Sequence, residues 1–355
     1  MKIKTELLKD MLNKVIQGAG FNKFIPNSNL IELDFSGNLF KMSCTNGTET
    51  IQVSSEVSSK GEFFGAISAD IFSKLISRQT CEYIDITVSD TAVKIKGNGV
   101  YLVEIVFDEE NKAVVFPDVF GDYQDKESCQ IDAQTIRSVL KYGKAAIATT
   151  DEIPCYTGFY CADKVVATDS FKLVINNVSM FDSPKLISGQ AMELLKVFGE
   201  GGKITVYQRE DELIFAADGI RLRTVLLDGI EDYAIDAIQQ LADVEFMNTV
   251  RINRQALLDA LNRVALFVTD YDEQCVSLQF DTESVILQSK SANGVEAVSY
   301  EDAIKLDACN YMIRIDLMMD MLKSLDANII ELSFGNDKAI KMCVPDVTQI
   351  IALYR

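Results

Sequence analysis

Residues that can perform acid–base, nucleophilic or metal chemistry are unevenly represented in this chain of 355 residues. It contains 53 Asp and Glu but no histidine, so a Ser-His-Asp triad and a histidine-ligated metal site are excluded. In so acidic a chain, groups of carboxylates are more typical of solvated loops than of metal sites. We therefore predict no catalytic residue, no metal and no cofactor. Two groups nevertheless have the oxygen ligands that Mg²⁺ prefers: Asp108, Glu109 and Glu110, and Asp270, Asp272 and Glu273.

The eight cysteines are predicted to be reduced. They lie at positions 44, 81, 129, 155, 161, 275, 309 and 343, without a Cys-x-x-Cys pair and mostly inside apolar, strand-like runs. Cysteine in that setting behaves as a small buried hydrophobic residue, and free thiols are typical of a reducing compartment. The first residues lack a signal-peptide pattern, and no stretch approaches the ~18 apolar residues of a membrane helix. We expect a soluble cytoplasmic protein that does not contact a membrane.

The segment 199–203, Gly-Glu-Gly-Gly-Lys, has the composition of a phosphate-binding loop. It follows a predicted helix and precedes a predicted strand, whereas a phosphate-binding loop runs from a strand into a helix. This order predicts the end of a helix followed by a turn, and no nucleotide site.

Three basic residues, Arg137, Lys141 and Lys144, have the spacing i, i+4, i+7, and no acidic residue lies between positions 133 and 148. In a helix they form one stripe beside an apolar face. Such a stripe can be an ordinary solvated surface, or it can face the phosphates of a nucleic acid. The charges alone leave both interpretations open.

The elements that position these residues repeat along the chain. Decapeptides that begin at Ile3, Ile131 and Ile252 each continue with apolar residues five, eight and nine positions later, which is one face of an amphipathic helix. Their starting points are separated by 128 and 121 residues. Two matches at nearly equal spacing indicate an internal triplication.

Similar elements follow each of these helices: a strand pair, a second helix, a hairpin and a final strand. The predicted strand pairs are 30–35 with 39–44, 158–161 with 165–168, and 276–280 with 285–288. The predicted second helices are 69–79, 188–198 and 316–327, and the final strands are 101–107, 221–226 and 349–353.

The repeated unit predicts an α+β fold of three tandem domains, each with two helices packed on one face of an antiparallel sheet. We place the domains at 1–124, 125–246 and 247–355. The joins near 121–128 and 242–248 are short, which favours domains that dock rigidly.

Positive charge is concentrated on the predicted helices. The six helices carry eleven basic and eight acidic residues, a net charge of +3, although the whole chain carries −19. The strands and loops therefore carry −22. A uniformly basic nucleic-acid binder is excluded, whereas a locally basic one is not.

Together with the triplication, one motif resembles the DNA sliding clamp of bacterial replication, the beta subunit of DNA polymerase III. The segment 165–173, Val-Val-Ala-Thr-Asp-Ser-Phe-Lys-Leu, is similar to the family's V-A-T-D-G-H-R-L segment. Leu-Leu-Asp-Gly at 226–229 and Asp-Tyr at 232–233 resemble its L-V-D-G-x-x-P-D-Y segment. Ser170, Phe171 and Lys172 depart from the family pattern. They indicate a divergent member, such as one encoded by a phage or plasmid.

The resemblance implies a non-enzymatic processivity factor. Two three-domain subunits would form a homodimeric ring of six domains, with helices around the hole and sheets outside. The ring would encircle double-stranded DNA without sequence preference, and its contacts with phosphates would be weak enough to allow sliding. An ATP-driven clamp loader would open it, and short linear motifs of polymerase and loader would bind a hydrophobic pocket.

The resemblance also implies three sets of site residues. The peptide pocket would comprise Tyr156, Thr168, Ser170, Phe171, Lys172, Leu173, Ile235, Ile350, Ala352 and Leu353. DNA would face Lys9, Lys14, Lys23, Lys74, Arg78, Arg137, Lys141, Lys144, Lys196, Arg254 and Arg263. The dimer interface would join Tyr101, Val103 and Ile105 of the first domain to Leu266 and Phe267 of the last.

Two alternative functions remain at this point. One is a cytosolic peptide-binding scaffold of three domains that has no role on DNA. The other is an acidic, metal-dependent nuclease, in which Asp270 would be a metal ligand.

Overall fold

The computed structural model describes residues 1–22, 24–269, 274–304 and 307–354, without the side chain of Ile304. Within these ranges the α-helices are α1 (Thr5–Val15), α2 (Ala69–Ser77), α3 (Ala133–Gly143), α4 (Gly189–Leu194), α5 (Ile235–Ala242), α6 (Arg254–Val264) and α7 (Ile315–Ser324). Short 3₁₀ segments are Ile16–Gly18, Lys144–Ala146, Pro154–Thr157, Leu195–Phe198, Ile230–Asp232 and Ala265–Phe267. None of the helices in these ranges has both the length and the apolar composition that crossing a membrane requires.

The strands in the same ranges are β1 (Lys2–Lys4), β2 (Leu30–Thr45), β3 (Thr50–Ser68), β4 (Tyr83–Val88), β5 (Ala92–Lys96), β6 (Val100–Glu104), β7 (Ser128–Asp132), β8 (Gly158–Cys161), β9 (Val165–Thr168), β10 (Lys172–Asn176) and β11 (Lys185–Ser188). They continue with β12 (Lys203–Gln208), β13 (Glu212–Ala217), β14 (Ile220–Val225), β15 (Asn248–Asn253), β16 (Cys275–Phe280), β17 (Ser284–Ser289), β18 (Val295–Ile304), β19 (Cys309–Arg314), β20 (Ile329–Phe334), β21 (Ala339–Val344) and β22 (Val347–Ala352).

The order of elements runs through one pattern three times. The second and third runs each contain a strand, a helix, four strands, a second helix and three strands, and they begin at β7 and β15. In the first run the two long strands β2 and β3 take the place of four. The α+β class with paired helices and antiparallel sheets is confirmed, while the domain bounds 1–124, 125–246 and 247–355 remain a prediction.

By its internal contacts the chain divides into two units, and their bounds do not coincide with those of the predicted domains. The first unit comprises Met1–Ile136 and Ala191–Leu226, and the second comprises Arg137–Gln190 and Leu227–Arg355. The first unit contains two sheets, with strand orders β1-β4-β5-β6 and β2-β3-β14-β13-β12-β7. The second contains one sheet, β11-β8-β9-β10-β22-β21-β20-β15-β18-β17-β16-β19. The units cross the domains because two strand pairs, β3 with β14 and β10 with β22, join a strand of one run to the last strand of the next.

The six predicted helices are confirmed, and their predicted apolar faces are buried. In α1 the buried residues include Leu8, Met11 and Leu12, at the expected spacing. Side-chain caps begin α2 and α6: the hydroxyl oxygen of Ser68 accepts from the backbone N–H of Ile71, and the side-chain amide oxygen of Asn253 accepts from the backbone N–H of Ala256. The helices form because burial of one face stabilises segments that would be marginal alone.

The predicted strand pair 30–35 with 39–44 is wrong. These residues form the single strand β2, which pairs along its length with β3 from Leu30 opposite Ser68 to Thr45 opposite Thr50. The Ser-Gly-Asn sequence between the two predicted strands contains Gly37 at φ 64°, and the register shifts between Gly37 and Leu39. These turn-forming residues therefore produce a β-bulge and not a chain reversal.

The glycine-rich segment 199–203 is a turn, as predicted. It follows the 3₁₀ segment Leu195–Phe198 and leads into β12. Gly199 ends the helix at φ 81° and Gly202 has φ 98°, conformations that glycine adopts without strain.

The predicted buried thiols are confirmed in part. Cys44, Cys155, Cys161 and Cys275 are buried, whereas the other four cysteines are half-buried, and all eight are free thiols. Burial raises the pKa of Cys44 and Cys161, so their thiols stay protonated at neutral pH.

Candidate functional site

The turn that carries the Thr-Asp-Ser-Phe-Lys motif connects β9 to β10. One carboxylate oxygen of Asp169 accepts hydrogen bonds from the backbone N–H of Phe171 (2.9 Å) and of Lys172 (2.7 Å). The Thr168 hydroxyl donates to the carbonyl oxygen of Lys172 over 2.7 Å and accepts from the N–H of Ser170 over 3.1 Å. Because Asp and Thr side chains satisfy the backbone of this turn, its shape is fixed locally.

Ser170 stands where the resembling family has glycine, and the backbone explains the difference. Its φ is 77°, in the left-handed region that glycine occupies without strain. A non-glycine residue there is strained by about 1–2 kcal/mol. The turn therefore keeps the conformation of a glycine turn, and Phe171 at its tip is 57% exposed.

Lys172 is engaged inside the turn. Its ammonium lies 3.3 Å from the Asp169 carboxylate, and the two side chains are only 10% and 17% exposed. A largely buried pair of this kind resists the loss of either partner, because the remaining charge would be unpaired. Lys172 therefore shapes the turn more than it offers a free cation to a ligand.

Behind the turn, three tyrosines and α5 form an apolar cluster. The ring of Tyr233 lies 5.1 Å from that of Tyr156 and 5.3 Å from that of Tyr160, and its hydroxyl donates to the Val166 carbonyl oxygen over 3.2 Å. Burial raises the pKa of Tyr233 well above its usual value. The phenol therefore remains neutral, and its hydrogen bond persists at any physiological pH.

A cavity of about 270 Å³, which we call the anchor cavity, lies between this turn, α5 and the end of β22. Eight of the ten predicted pocket residues line it: Tyr156, Thr168, Ser170, Phe171, Lys172, Leu173, Ile350 and Ala352. The other two do not. Ile235 lines a neighbouring cavity, and Leu353 lines neither; the Leu353 N–H donates to the Lys338 carbonyl oxygen over 2.9 Å.

One wall of the anchor cavity was not predicted. It comprises Ala234, Ala237, Ile238 and Leu241 of α5 and its N-cap, and the strand turn adds Lys338 and Ala339. The apolar residues Ile235, Ile238 and Leu241 recur every third position, which is a helical signal. The segment was missed because it lies at the end of the second repeat, just before the join at 242–248, and has no counterpart in the other two repeats.

The anchor cavity suits an apolar side chain. It is concave, and most of its lining residues are aliphatic or aromatic, with Thr168, Ser170, Lys172 and Lys338 as the polar members. Such a site binds a leucine or phenylalanine of a peptide by burying it, while the polar groups orient the backbone.

Several of the predicted DNA-facing cations form ion pairs with carboxylates. Lys14 pairs with Asp10 and Lys74 with Asp70, each over 2.7 Å and each one helical turn apart. Further pairs are Lys196 with Glu193, Lys141 with Asp326, and Arg263 with Glu296. The Arg263 guanidinium lowers the pKa of Glu296. The stripe on α3 thus receives an acidic partner from the residues after α7, although its own segment has none.

Two other predicted DNA-facing cations bind backbone carbonyls. The Lys9 ammonium donates to the carbonyl oxygen of Gln79, just after α2, over 2.6 Å. The Arg254 guanidinium donates to the carbonyl oxygens of Leu322 (3.2 Å) and Ala327 (3.0 Å), at the end of α7. Cations at helix C-termini are stabilising, so both residues tie one helix to the end of its neighbour.

The remaining predicted cations differ in exposure. Arg78 and Lys144 are exposed and Arg137 is half-buried. Arg78 forms no ion pair within the described ranges. Lys23 lies outside the described residues.

The acidic groups were the alternative candidates for a metal site. The Asp108 carboxylate accepts from the backbone N–H of Glu110 and of Lys112, and the Lys112 ammonium pairs with Glu110 over 2.6 Å, as in an ordinary solvated turn. Asp270, Asp272 and Glu273 lie outside the described residues. In the part of the chain that the structure describes, no cluster of three or more carboxylate or thiol groups is arranged to bind a metal.

The predicted interface strand has an open edge. β6 is the last strand of its sheet, and among the described residues it pairs with β5 alone. The side chains of Val103 and Ile105 are buried in their own unit, so they cannot contact a partner, whereas Tyr101 is 37% exposed. The opposite face of the strand offers Leu102, which is 70% exposed.

The predicted partner of that edge is also exposed. Leu266 is 81% exposed and Phe267 is 47% exposed, in the 3₁₀ segment after α6. Nearby, the Phe267 ring lies against Gly294, and β18 begins at the exposed Val295. Residues 295–299 of β18 pair with β17 on one side, while β15 pairs only with the residues from Tyr300 onward.

Comparison with solved structures identifies the fold. The DNA polymerase sliding clamp from Bacillus subtilis superimposes with a TM-score of 0.87 at 18% identity, over 100% of this chain and 98% of that one. The DNA polymerase III subunit beta from Borrelia burgdorferi gives 0.87 at 14% identity, with the same two coverages. The corresponding subunit from Pseudomonas aeruginosa gives 0.85 at 14% identity, over 100% and 99%. No family model and no curated protein matches the sequence. The chain therefore has, along its whole length, the fold of bacterial DNA polymerase sliding clamps.

Proposed function

We propose that this protein is a non-enzymatic sliding clamp, a homodimeric ring that encircles duplex DNA and tethers a polymerase through the anchor cavity. The observation that carries the proposal is a coincidence of fold and site. The clamp fold extends over the whole chain, and the motif residues from Thr168 to Leu173 line an apolar cavity within it.

The strand pairing within each unit supports a ring of two copies. In the first run the long strand β3 takes the place of the fourth strand, and it pairs with β14, the last strand of the second run. The same position of the second run pairs with the last strand of the third run, as β10 with β22. The equivalent edge of the third run is 295–299 of β18, and the last strand of the first run is β6. A second copy would supply the missing partner to each edge, and two such junctions would close a ring of six domains.

Exposed apolar side chains at these two edges support the same pairing. Leu102 beside one edge, and Leu266 with Val295 beside the other, would be buried when the edges pair. Open edge strands with apolar neighbours are a risk of aggregation unless another chain covers them. The interface we propose therefore uses the backbone of β6 and the face that carries Leu102, in place of the buried side chains of Val103 and Ile105.

The paired cations support a weak, sequence-independent contact with DNA. Surface ion pairs contribute about 0–1 kcal/mol each, so a phosphate can replace a carboxylate partner at little cost. Several of the helical cations are held in such pairs, and the chain carries −19 overall. A ring would stay on the duplex through its topology, and loose contacts would let it slide.

Retention on circular DNA tests the ring directly. The protein would first be diluted to separate the dimer and then concentrated in the presence of nicked circular plasmid, so that the ring can close around the DNA. The complex would be isolated by gel filtration and treated with a restriction enzyme that cuts the plasmid once. We expect co-elution with the circle and release after cutting. Equal retention on linear DNA would indicate ordinary binding, and a closed ring that is never retained would favour the peptide-binding scaffold. Cleavage of the plasmid that depends on Mg²⁺ would favour the nuclease.

Charge reversal on α3 tests which surface faces the DNA. The substitutions Lys141→Glu and Lys144→Glu together should lower retention on the circle several-fold, because they replace attraction to phosphate by repulsion. The matched control is Lys94→Glu with Lys96→Glu, two exposed residues of β5 on a sheet. An equal loss in both variants would remove the α3 stripe from the DNA contact.

A further inference from the structure

A second cavity, of about 600 Å³, lies next to the anchor cavity on the other side of the start of α5. It is lined by Tyr160, Pro184, Ile230, Glu231, Tyr233, Ala234, Ile235, Asp236 and Ala237. Two residues, Ala234 and Ala237, line both cavities. Since they are three positions apart, at the N-cap and in the first turn of α5, the two cavities are separated by little more than the width of that turn.

The electrostatic character of the second cavity is acidic. Glu231 and Asp236 are exposed in its wall, and its nine lining residues include no cation. Asp163 lies close enough to act on Tyr160: burial, then the charges of Asp163 and Asp236, raise the pKa of that phenol. Lys164, in the turn between β8 and β9, is engaged elsewhere, because it donates a hydrogen bond to the Gln239 side chain of α5.

The aromatic part of the cavity wall adds packing for the stem of a long cationic side chain. The rings of Tyr160 and Tyr233 lie 5.3 Å apart, and both form part of the lining. The Tyr233 hydroxyl is already bonded to the Val166 carbonyl oxygen and its ring is 2% exposed, so the part of the pair that reaches the cavity is mainly Tyr160, which is 9% exposed. The stem of a Lys or Arg side chain can pack against this apolar part of the wall while its charge reaches the carboxylates.

We propose that the second cavity binds a lysine or arginine side chain of the same partner peptide whose apolar residue occupies the anchor cavity. The inference rests on the proposed function and adds a specificity to it. An acidic side chain would be repelled by Glu231 and Asp236, and an apolar one would leave both carboxylates without a partner. The cation is therefore the occupant that the charges favour.

The geometry also limits where the cation lies in the peptide. An extended peptide advances about 3.3 Å per residue, and a helix is about 10 Å wide with its side chains. The basic residue should thus lie roughly three positions from the apolar anchor.

Fluorescence polarisation with synthetic peptides tests this. Each labelled peptide would carry one Leu-Phe pair in a neutral Gly/Ser/Gln background, with arginine two, three or four positions to either side. The reference peptide has glutamine at the same position. We expect arginine at one of these positions to tighten binding about fivefold at low salt, and we expect added salt to reduce the gain.

Two protein variants make the test specific. Glu231→Gln with Asp236→Asn should abolish the arginine gain without changing the affinity of the glutamine peptide. The control, Asp90→Asn with Glu109→Gln, makes the same change of net charge at exposed positions elsewhere and should keep the gain. Equal affinity of the arginine and glutamine peptides at every position would overturn the inference, and so would a gain that survives the double substitution. Failure of every peptide to bind would instead overturn the anchor cavity itself, and the inference with it.

Discussion

Two strand junctions with the same topology differ in their side chains. In the first unit β3 pairs with β14, and in the second unit β10 pairs with β22; both pairs join successive runs. The first junction has one apolar face, where Leu222 stands opposite Ile51, and one face with buried polar groups. Glu49 is 2% exposed and Thr224 is fully buried, and the Thr224 hydroxyl lies 3.4 Å from the Glu49 carboxylate. At the second junction Leu173 stands opposite Ile350, and both line the anchor cavity.

The difference teaches that backbone pairing and side-chain function are separable in this fold. Hydrogen bonds of the strand ladder hold both junctions, so either set of side chains is compatible with them. The first junction is closed by hydrogen bonds and ion pairs, whereas the second leaves room for a ligand. The open edges of β6 and β18 would form a third junction, made between two copies of the chain.

The largest effect should follow from disruption of that third junction. Leu102→Glu would place a charge in an interface that we expect to be apolar, and should raise the dimer dissociation constant more than about 100-fold, or about 3 kcal/mol. Light scattering during gel filtration should then show a monomer at micromolar concentration. Ile71→Glu is the control, because Ile71 is an exposed aliphatic residue of α2. If the dimer tolerates both substitutions equally, the edges of β6 and β18 do not form a junction like the other two.

Truncation of a side chain that lines the anchor cavity should weaken ligand binding at the second junction. Leu173→Ala removes a wall of the anchor cavity and should weaken binding of the Leu-Phe peptide more than tenfold, with a loss of about 2–5 kcal/mol in the free energy of unfolding. Val174→Ala is the matched control, because adjacent residues of a strand point to opposite faces and Val174 is also buried. It should destabilise the protein while it leaves peptide affinity unchanged. Equal weakening by both variants would mean that peptide affinity depends on the stability of the fold and not on the wall of the anchor cavity.

Much of the second junction is predictable from sequence because its signals are local. The Thr-Asp-Ser turn and the alternation of β9 and β10 follow from short-range preferences. Helix α5 carried such a signal but had no repeated counterpart, so it was missed. The long strand β2 was predicted as two because Gly37 serves a bulge as readily as a turn.

The parts that sequence could not predict depend on distant residues. The Lys9 ammonium binds a carbonyl 70 residues away in the chain, and Lys141 meets Asp326 of another run. No spacing rule connects such residues. For the same reason a helical cation could be identified, while its structural or DNA-binding role could not. The second cavity likewise appears only when α5 lies beside Tyr160 and Pro184.

The first junction should respond to pH through Glu212, on β13 beside β14. The Arg223 guanidinium, bonded to this carboxylate, and Arg209, 3.3 Å from it, lower the pKa of Glu212. A lowered pKa contributes stability above the unfolded value of about 4.3, and that stability is lost as the pH falls through the folded value. Glu212→Gln should therefore lower the free energy of unfolding by about 1 kcal/mol at pH 7.

Urea unfolding at several pH values checks this prediction. The difference between the wild type and Glu212→Gln should persist down to about pH 4.3 and shrink below it. Glu62→Gln, at an exposed position of β3, should leave stability unchanged throughout. A difference that is constant across the whole pH range would show that the carboxylate charge is not what stabilises the first junction.

The smallest effect concerns the turn beside the second junction. Ser170 has φ 77°, so Ser170→Gly should relieve about 1–2 kcal/mol of strain while it adds about 0.5–1 kcal/mol of unfolded-state entropy. The net gain in the free energy of unfolding should be about 0.5 kcal/mol, measured by urea unfolding. Ser73→Gly, inside α2, is the matched control and should lose about 0.5 kcal/mol because glycine is a poor helix former. If both variants lose stability alike, the turn accommodates serine without strain, and the departure from glycine at this position needs no compensation elsewhere in the site.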